Sequence, residues 1–309
     1  MTATLVVARS GSVLPLPPAA LRFMGEDDER LLRVGDELAG LLVAHGMGPD
    51  AVVLDVGCGY GRLALGILHS TDHRGPYLGF DILRRQIDWC RHSISPAFPN
   101  VQFAHLDIRN DRYNPLGVID PTEASFPARS ASTDVAAVFS VFTHLYRADI
   151  ERYLQEIRRA LRPGGVAVTT WFVFDDERSA QIASPASMYP MVHVLDDETR
   201  YSDATDPLRA IAYRERTMRS MAAAAGLQVE SVALGSWAGE AGATHQDLVI
   251  LRRSATDTIV DPEPKAPDFG QRVSRARRRM MALVGRPRSR LRKQVGRMRR
   301  RLALRRGRA

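Results

Sequence analysis

A glycine-rich stretch is the part of the sequence best suited to hold a ligand. Residues 52–65 read VVLDVGCGYGRLAL, an apolar run that breaks into glycines and then resumes with helical spacing. A strand that enters a glycine-rich turn and then a helix brings backbone amides and the positive end of the helix next to a ligand. Asp55 precedes Gly57, Gly59 and Gly61 at regular spacing, and this pattern predicts a ligand held close to the backbone.

Two common nucleotide motifs do not match this stretch. A P-loop needs Gly-Lys-Ser/Thr after its second glycine, and that triplet does not occur in the chain. A dinucleotide fingerprint needs a third small residue where this chain has Arg62. A carboxylate at a strand end is costly to bury unless it is paired. Asp55 therefore favours a ligand that carries an amine and a sulfonium over one that carries a pyrophosphate.

Two further acids follow the next two predicted strands. Asp81 ends the segment YLGFD, where it could accept hydrogen bonds from both hydroxyls of a ribose, although an NAD-binding protein also places an acid there. Asp107 ends the third strand and suits an adenine amino group or its surroundings. Three successive strands that end in Asp would place three carboxylates at the carboxyl edge of one sheet.

Short apolar runs alternate with helical stretches along most of the chain. This alternation predicts an α/β fold: a Rossmann-like, seven-stranded, mostly parallel sheet with an antiparallel edge hairpin and helices on both faces. The predicted strands are 52–56, 76–80, 101–106, 134–141, 166–174, 228–234 and 245–253, and the predicted helices between them are 62–70, 82–94, 148–161 and 214–227.

These motifs together resemble the class I S-adenosylmethionine-dependent methyltransferases over residues 51–173, and more loosely over 20–253. VLDVGCGYGR resembles the first motif of that family, GFDI and HLDI its second- and third-strand acids, and LRPGGVAVTT the segment that leads into its fifth strand. The resemblance implies S-adenosylmethionine as cofactor.

The same resemblance implies a role in cofactor binding for each residue of these motifs. Gly57 and Gly59 let the backbone approach the amino acid part of the cofactor, Asp81 binds the ribose and Asp107 the adenine. Asp55 orients the loop or the cofactor ammonium. The other residues expected to contact the cofactor are Cys58, Gly61, Ile82, Ile108 and Ser140.

The segment after the fourth strand, VFSVFTHLYRADI, holds the residues expected to face the methyl acceptor. His144 is the expected general base, because imidazole titrates near neutrality and can take a hydroxyl proton during transfer; the alternative is that it satisfies the turn. SVFTHL resembles a subset of bacterial sugar and glycan methyltransferases, which favours the role as base. Thr143 is expected to contact the acceptor, and for both Thr143 and Ser140 bonding to the backbone is the alternative.

Two residues elsewhere complete the predicted acceptor site. Tyr189 lies in the irregular segment 172–206, which is expected to form an acceptor-site insertion, and Phe23 in the N-terminal segment is expected to close the site from the other side. Trp237, His245 and Gln246 are expected mainly to pack at the sheet edge, and contact with the acceptor is the alternative.

The missing motifs favour oxygen as the methylated atom. Amino-methylating enzymes of nucleic acid bases carry Asn/Asp-Pro-Pro-aromatic after the fourth strand, where this chain reads FSVFTH. Carbon methylation of pyrimidines needs a cysteine nucleophile, and neither Cys58 nor Cys90 is suitably placed. The acidic runs at 174–177 and 195–198 could bind Mg²⁺ beside a diol, but solvated loops or helix N-caps are the favoured interpretation, so no metal ligands are assigned.

Charge divides the chain into an acidic body and a basic tail. Residues 272–309 hold 17 of the 43 Lys and Arg and no Asp or Glu, which leaves 26 basic against 35 acidic residues in the rest. The predicted organisation is an N-terminal helical cap (1–50), the methyltransferase domain (51–253), a linker (254–271) and the Arg-rich tail (272–309). The tail is expected to be a solvated extension or to contact an anionic membrane surface or an acidic partner. Nucleic acid is less favoured, because no aromatic residues interleave the arginines.

The function predicted from the sequence is methyl transfer to a hydroxyl of a sugar, glycolipid or secondary metabolite. The alternatives are an NAD-dependent oxidoreductase and a catalytically silent Rossmann-like adaptor that binds membrane or nucleic acid through the tail. Two cysteines and the lack of a recognisable signal segment indicate a cytoplasmic location, with peripheral membrane contact through the tail. The acceptor's identity and the oligomeric state do not follow from the sequence.

Overall fold

The computed structural model describes residues 4–22 and 27–258. The chain begins with an antiparallel hairpin of β1 (Leu5–Val7) and β2 (Val13–Pro15), followed by helix α1 (Asp28–Ala44). The predicted N-terminal helical cap therefore starts with a two-stranded element, which the sequence analysis did not identify because each strand is only three residues long.

Within the described residues, the central sheet has seven strands. They are β3 (Val53–Val56), β4 (Tyr77–Asp81), β5 (Val101–His105), β6 (Thr133–Val138), β7 (Leu161–Trp171), β12 (Leu227–Ala233) and β13 (Asp247–Arg253). Their spatial order is β5-β4-β3-β6-β7-β13-β12, and β13 runs antiparallel to both of its neighbours. This arrangement confirms the predicted mostly parallel sheet with an antiparallel hairpin at one edge.

Helices cover both faces of this sheet, because successive residues of each buried strand point to opposite sides. They are α1 together with α2 (Arg62–Ser70), α3 (Arg84–Ser93), α4 (Arg147–Ala160) and α6 (Glu215–Ala224). The short helix α5 (Ser179–Ile182) instead places Ile182 in a separate apolar cluster. On β3, Val53 packs with α1, α2 and α3, whereas Leu54 packs with α4 and α6. Asp55 shares the parity of Val53, so its side chain points into the layer of α1 to α3.

The close packing of α1 on α2 depends on two glycines. A Cβ atom on Gly66 would lie 2.0 Å from the carbonyl oxygen of Gly35, and one on Gly35 would lie 2.9 Å from the carbonyl oxygen of Arg62. The helix backbones therefore touch directly at this point, which fixes the N-terminal helix on the glycine-loop side of the sheet.

The apolar run at 166–174 is two strands rather than the single predicted one. β7 ends at Trp171, and after Phe172 the chain enters β8 (Val173–Phe174), which belongs to a second sheet. The sequence gives no break at this point, because apolar residues continue through it. The strand prediction for 166–174 was wrong in this respect.

The segment predicted as an irregular insertion forms the second sheet. β8 pairs with β11 (Ile211–Arg214), followed by β10 (Thr199–Tyr201) and β9 (His193–Asp196). Its own apolar cluster includes Phe172, Trp237 and Met191. The structured segment extends to Arg214, beyond the predicted boundary at 206. Among residues 4–22 and 27–258, no helix has both the length and the apolar character needed to cross a bilayer.

Candidate active site

The glycine loop between β3 and α2 has a backbone that other residues would adopt only with strain. Gly57, Gly59 and Gly61 have φ angles of +74°, +54° and +80°. A Cβ atom on Gly57 would lie 2.4 Å from Cγ2 of Val141, the third residue beyond the end of β6. The loop therefore needs glycine both for its conformation and for its close approach to the chain after β6.

The Cys58 side chain points away from the loop surface. Its sulfur lies 2.9 Å from the position of a Cβ on Gly79, and burial raises the pKa of the thiol well above its ordinary value. Burial likewise raises the pKa of the Cys90 thiol. A contact between Cys58 and a ligand at this loop would therefore use its backbone, and neither thiol is suited to be a nucleophile.

Asp55 is buried and accepts a hydrogen bond from the hydroxyl of Tyr77. Burial raises the pKa of this carboxyl to about 7, the nearby Asp81 adds to the increase, and the Tyr77 hydroxyl acts in the opposite direction. Asp55 therefore lies beneath the glycine loop rather than at its open side.

Asp81 joins the end of β4 to the glycine loop. One carboxylate oxygen accepts the N–H of Gly59 at 2.7 Å, and the other accepts the N–H of Leu83 at 2.8 Å. Burial raises the pKa of Asp81, while these backbone donors act to lower it. The next residue, Ile82, is half-buried and its carbonyl oxygen accepts a hydrogen bond from Nε2 of His105 at 3.1 Å.

Asp107 lies half-buried just beyond β5. The side-chain amide of Asn114 donates to Asp107 at 3.0 Å and to the carbonyl oxygen of Ile108 at 2.9 Å. Ile108 itself is buried and forms a parallel bridge with Ile119. Asn114, which the sequence analysis did not identify, thus fixes the loop that carries the third strand-end acid.

His144 ends a short 3₁₀ helix after β6. Its Nδ1 lies 2.8 Å from the carbonyl oxygen of Leu208, so Nδ1 carries the proton. Its ring packs edge-on against Tyr113, with ring centroids 5.6 Å apart. Burial lowers the pKa of His144 and Arg112 adds to the decrease, whereas the hydrogen bond to Leu208 acts to raise it. The imidazole is therefore neutral at pH 7.

A cleft of about 460 Å³ adjoins His144 through Tyr113. Arg112 and Asp206 form an ion pair there, which connects the loop after β5 to the second sheet's 3₁₀ turn. The residues that line the cleft are Asp111, Arg112, Tyr113, Thr205 and Asp206.

The other predicted residues after β6 differ in their accessibility. Thr143 is fully buried, and its hydroxyl has no hydrogen-bond partner among the residues that the structure describes. Ser140 is exposed and has a φ angle of +56°, which is unusual for a residue other than glycine. Its N–H donates to Oγ1 of Thr170 at 2.8 Å.

Tyr189 is half-buried against the second sheet. Its ring lies 5.6 Å from that of Phe172 and 6.4 Å from that of His245, measured between centroids. Phe23, the other predicted acceptor contact, lies outside the described residues, as does the whole basic tail.

The acidic runs considered for Mg²⁺ form ion pairs with arginines. Asp176 pairs with Arg214, and Glu198 pairs with Arg216 and also accepts from Thr217. Within residues 4–22 and 27–258, no group of three or more His, Cys, Asp or Glu side chains is arranged to hold a metal ion.

Comparison with known proteins gives one family match and several structural likenesses. The family model of the methyltransferase domain matches residues 53–165. A TehB-like SAM-dependent methyltransferase from Corynebacterium glutamicum is 19% identical (71% of this chain, 87% of that chain, TM-score 0.42). The Burkholderia thailandensis 1,6-didemethyltoxoflavin-N1-methyltransferase, solved with S-adenosylhomocysteine, is 17% identical (74% and 80%, TM-score 0.44). The cyclase SpnF is 15% identical (73% and 82%, TM-score 0.48). At this level, likeness carries no conclusion about the acceptor.

Proposed function

We propose that this chain, whose residues 53–165 match the family model of the methyltransferase domain, is a class I S-adenosylmethionine-dependent methyltransferase that methylates a hydroxyl oxygen of a sugar, glycolipid or secondary metabolite. The cofactor supplies an electrophilic methyl group on sulfur. What the protein must add is alignment of the acceptor oxygen and removal of its proton.

The observation that carries the proposal is the contact between Asp81 and Gly59 at 2.7 Å. It joins the strand-end carboxylate to the glycine loop, at the carboxyl edge where open α/β sheets bind their ligands. The backbone N–H groups of Gly59, Leu83 and Ile82 act on this carboxylate, which as a four-lone-pair acceptor would have capacity left for a ribose hydroxyl.

The remaining cofactor contacts are proposed from the same edge of the sheet. Gly57 and Gly59 would let the backbone approach the amino acid part, with Cys58 and Gly61 completing the loop. Asp107, with Ile82 and Ile108, would hold the adenine. Ser140 would contact the cofactor from the end of β6. Asp55 would orient the loop from below, through its contact with Tyr77.

Oxygen is favoured as the methylated atom because the chain lacks the groups that carbon methylation and base-nitrogen methylation need. The thiols of Cys58 and Cys90 are buried with raised pKa values, so a covalent route to carbon methylation lacks its thiolate. The chain after β6 also lacks the Pro-Pro-aromatic sequence of base-methylating enzymes.

His144 is proposed as the general base. With Nδ1 donating to Leu208, the neutral ring has its lone pair on Nε2. Bound S-adenosylmethionine would supply the methyl group, and Nε2 of His144 would take the proton of the acceptor hydroxyl as its oxygen is methylated. Tyr189 would position the acceptor, and the fully buried Thr143 would act only by supporting the segment that carries His144.

The test is transfer of labelled methyl from S-adenosylmethionine to a panel of sugars, glycolipids and hydroxylated aromatic metabolites, with matched amines as controls. We expect label in an O-methyl ether, identified by mass and by the NMR shift of the methyl group. Label only in N-methyl products would contradict the hydroxyl acceptor while leaving methyl transfer intact. Cofactor binding with no labelled product in the panel would contradict the proposed acceptor classes.

A further inference from the structure

Three polar side chains at the ends of neighbouring strands form a hydrogen-bonded cluster: Ser140 follows β6, Thr170 lies near the end of β7, and Gln246 precedes β13. The hydroxyl of Ser140 donates to Oε1 of Gln246 at 3.0 Å, and the hydroxyl of Thr170 donates to the same oxygen at 2.6 Å. Thr170 in turn accepts the N–H of Ser140 at 2.8 Å. We refer to Ser140, Thr170 and Gln246 as the edge cluster.

The edge cluster fixes the side-chain amide of Gln246 in one orientation. Its oxygen is engaged by two hydroxyl donors, so its NH₂ group is directed away from Ser140 and Thr170. Gln246 is half-buried and Ser140 is exposed, so the cluster reaches the surface of the sheet edge. The φ angle of +56° at Ser140 is retained because its N–H is held by Thr170.

The position of the cluster places it beside the glycine loop. Val141, next to Ser140, is the residue whose side chain approaches Gly57 most closely. On the other side, His245 precedes Gln246 and packs near Tyr189. The NH₂ group of Gln246 thus belongs to the same edge as the proposed cofactor loop and the proposed acceptor contact.

We propose that Gln246 is a specificity-determining residue whose amide NH₂ donates a hydrogen bond to an oxygen of the acceptor that neighbours the methylated hydroxyl. This inference rests on the proposed function and narrows the acceptor to molecules with adjacent oxygens, such as the vicinal hydroxyls of a sugar. A site built to bond such an oxygen discriminates strongly against an analogue that lacks it, since the donor is then left unpaired.

The test compares two substitutions of Gln246 that separate the donor from the rest of the cluster. Gln246→Glu keeps an oxygen that accepts from Ser140 and Thr170 but removes the NH₂ donor; Gln246→Leu removes both. Gln228→Glu is the matched control, because Gln228 is exposed on β12 at the opposite end of the strands. The probes are methyl glycosides that accept label from the wild-type enzyme, together with their deoxy analogues at the neighbouring positions.

We expect Gln246→Glu and Gln246→Leu each to lower kcat/KM for the glycoside by about 10- to 100-fold, chiefly through KM. Affinity for S-adenosylhomocysteine and the unfolding temperature of Gln246→Glu should match those of wild type and of Gln228→Glu. For one deoxy analogue, wild type should be as slow as the Gln246 variants, since the bonded oxygen is gone.

Three outcomes overturn the inference. Full activity of Gln246→Glu on the glycoside would show that the donor is not used, with methyl transfer itself unaffected. If wild type methylated the glycoside and all its deoxy analogues at equal rates, no neighbouring oxygen would be bonded by Gln246. A wild-type enzyme that binds the cofactor but labels none of the glycosides would overturn the glycoside part of the proposed function together with this inference.

Discussion

Asp55 is buried beside the hydroxyl of Tyr77, so its ionisation makes the stability of the fold depend on pH. Its pKa of about 7 in the folded protein lies above the ordinary value of 3.8. A raised carboxyl pKa contributes stability that is present at low pH and is lost as pH rises from about 4 through about 7. Asn at this position could still accept the Tyr77 hydroxyl but would not ionise.

We therefore expect Asp55→Asn to match wild type in thermal stability at about pH 4 and to exceed it at pH 8, both without cofactor. The measurement is the unfolding temperature against pH for the two proteins. Asp149, whose pKa is raised to about 6, is present in both proteins and cancels in the comparison. Parallel pH curves for the two proteins would contradict the buried, ionisable state of Asp55.

His144 provides a test of the chemical step. As the proposed base it must be unprotonated, and its pKa lies below the ordinary 6.5 because of burial. The maximal rate should therefore rise with pH through a value below 6.5 and level off by about pH 7. We expect His144→Gln to lower kcat by roughly 10²- to 10⁴-fold and to leave the affinity for S-adenosylhomocysteine unchanged. If His144→Gln kept full activity and the same fall of the maximal rate at low pH, His144 would be ruled out as the general base.

At the scale of single residues, the sequence was sufficient to identify those site residues that a short stretch of neighbouring residues positions. The glycines and the acids at strand ends follow directly from the strand–turn–helix pattern, and the structure places Asp81 against Gly59. Thr170 and Gln246 could not be paired in this way, because the register between β7 and β13 joins residues 76 positions apart. The sequence shows only that Thr170 lies near the end of one apolar strand and Gln246 just before another.

At the scale of secondary-structure elements, the contact between α1 and α2 depends on the two glycines Gly35 and Gly66. Gly66→Ala would put a methyl group 2.0 Å from a backbone oxygen of Gly35, and backbone cannot move aside as a side chain can. We expect a loss of about 1–3 kcal/mol in the free energy of unfolding, measured by denaturant titration.

Gly40→Ala is the matched control on α1. Gly40 is exposed and a Cβ there would meet nothing within 4 Å, so alanine should stabilise the helix by about 0.5–1 kcal/mol. If Gly66→Ala were as stable as Gly40→Ala, the direct backbone contact between the two helices would be contradicted.

Element boundaries were predictable where a local feature marks them. Gly61 marks the start of α2, and the hydrophobic period marks α4. The break at Phe172 and the second sheet were not predictable, because β8 and β11 are short and gain their stability from pairing and from the apolar cluster around Trp237. Tertiary packing, rather than propensity, defines these strands.

At the scale of the whole molecule, Met1–Pro262 forms a compact unit. The tail prediction falls on residues outside the described part of the chain. We expect truncation after Pro262 to preserve the affinity for S-adenosylhomocysteine within about twofold and to preserve the unfolding temperature. If the tail acts on membranes, the full chain should bind anionic but not neutral vesicles, and salt should weaken this binding. Loss of cofactor affinity on truncation would contradict a self-contained cofactor site.

The most direct test of the central claim, that the carboxyl edge around Asp81 and the glycine loop binds the cofactor, is calorimetric titration with S-adenosylhomocysteine. Wild type should bind it and not NAD. Asp81→Ala should weaken binding by about 1–3 kcal/mol through loss of hydrogen bonds to a charged acceptor, whereas Asp72→Ala, at an exposed pair with Arg9, should not. Unchanged affinity in Asp81→Ala, or binding of NAD without S-adenosylhomocysteine, would contradict the claim.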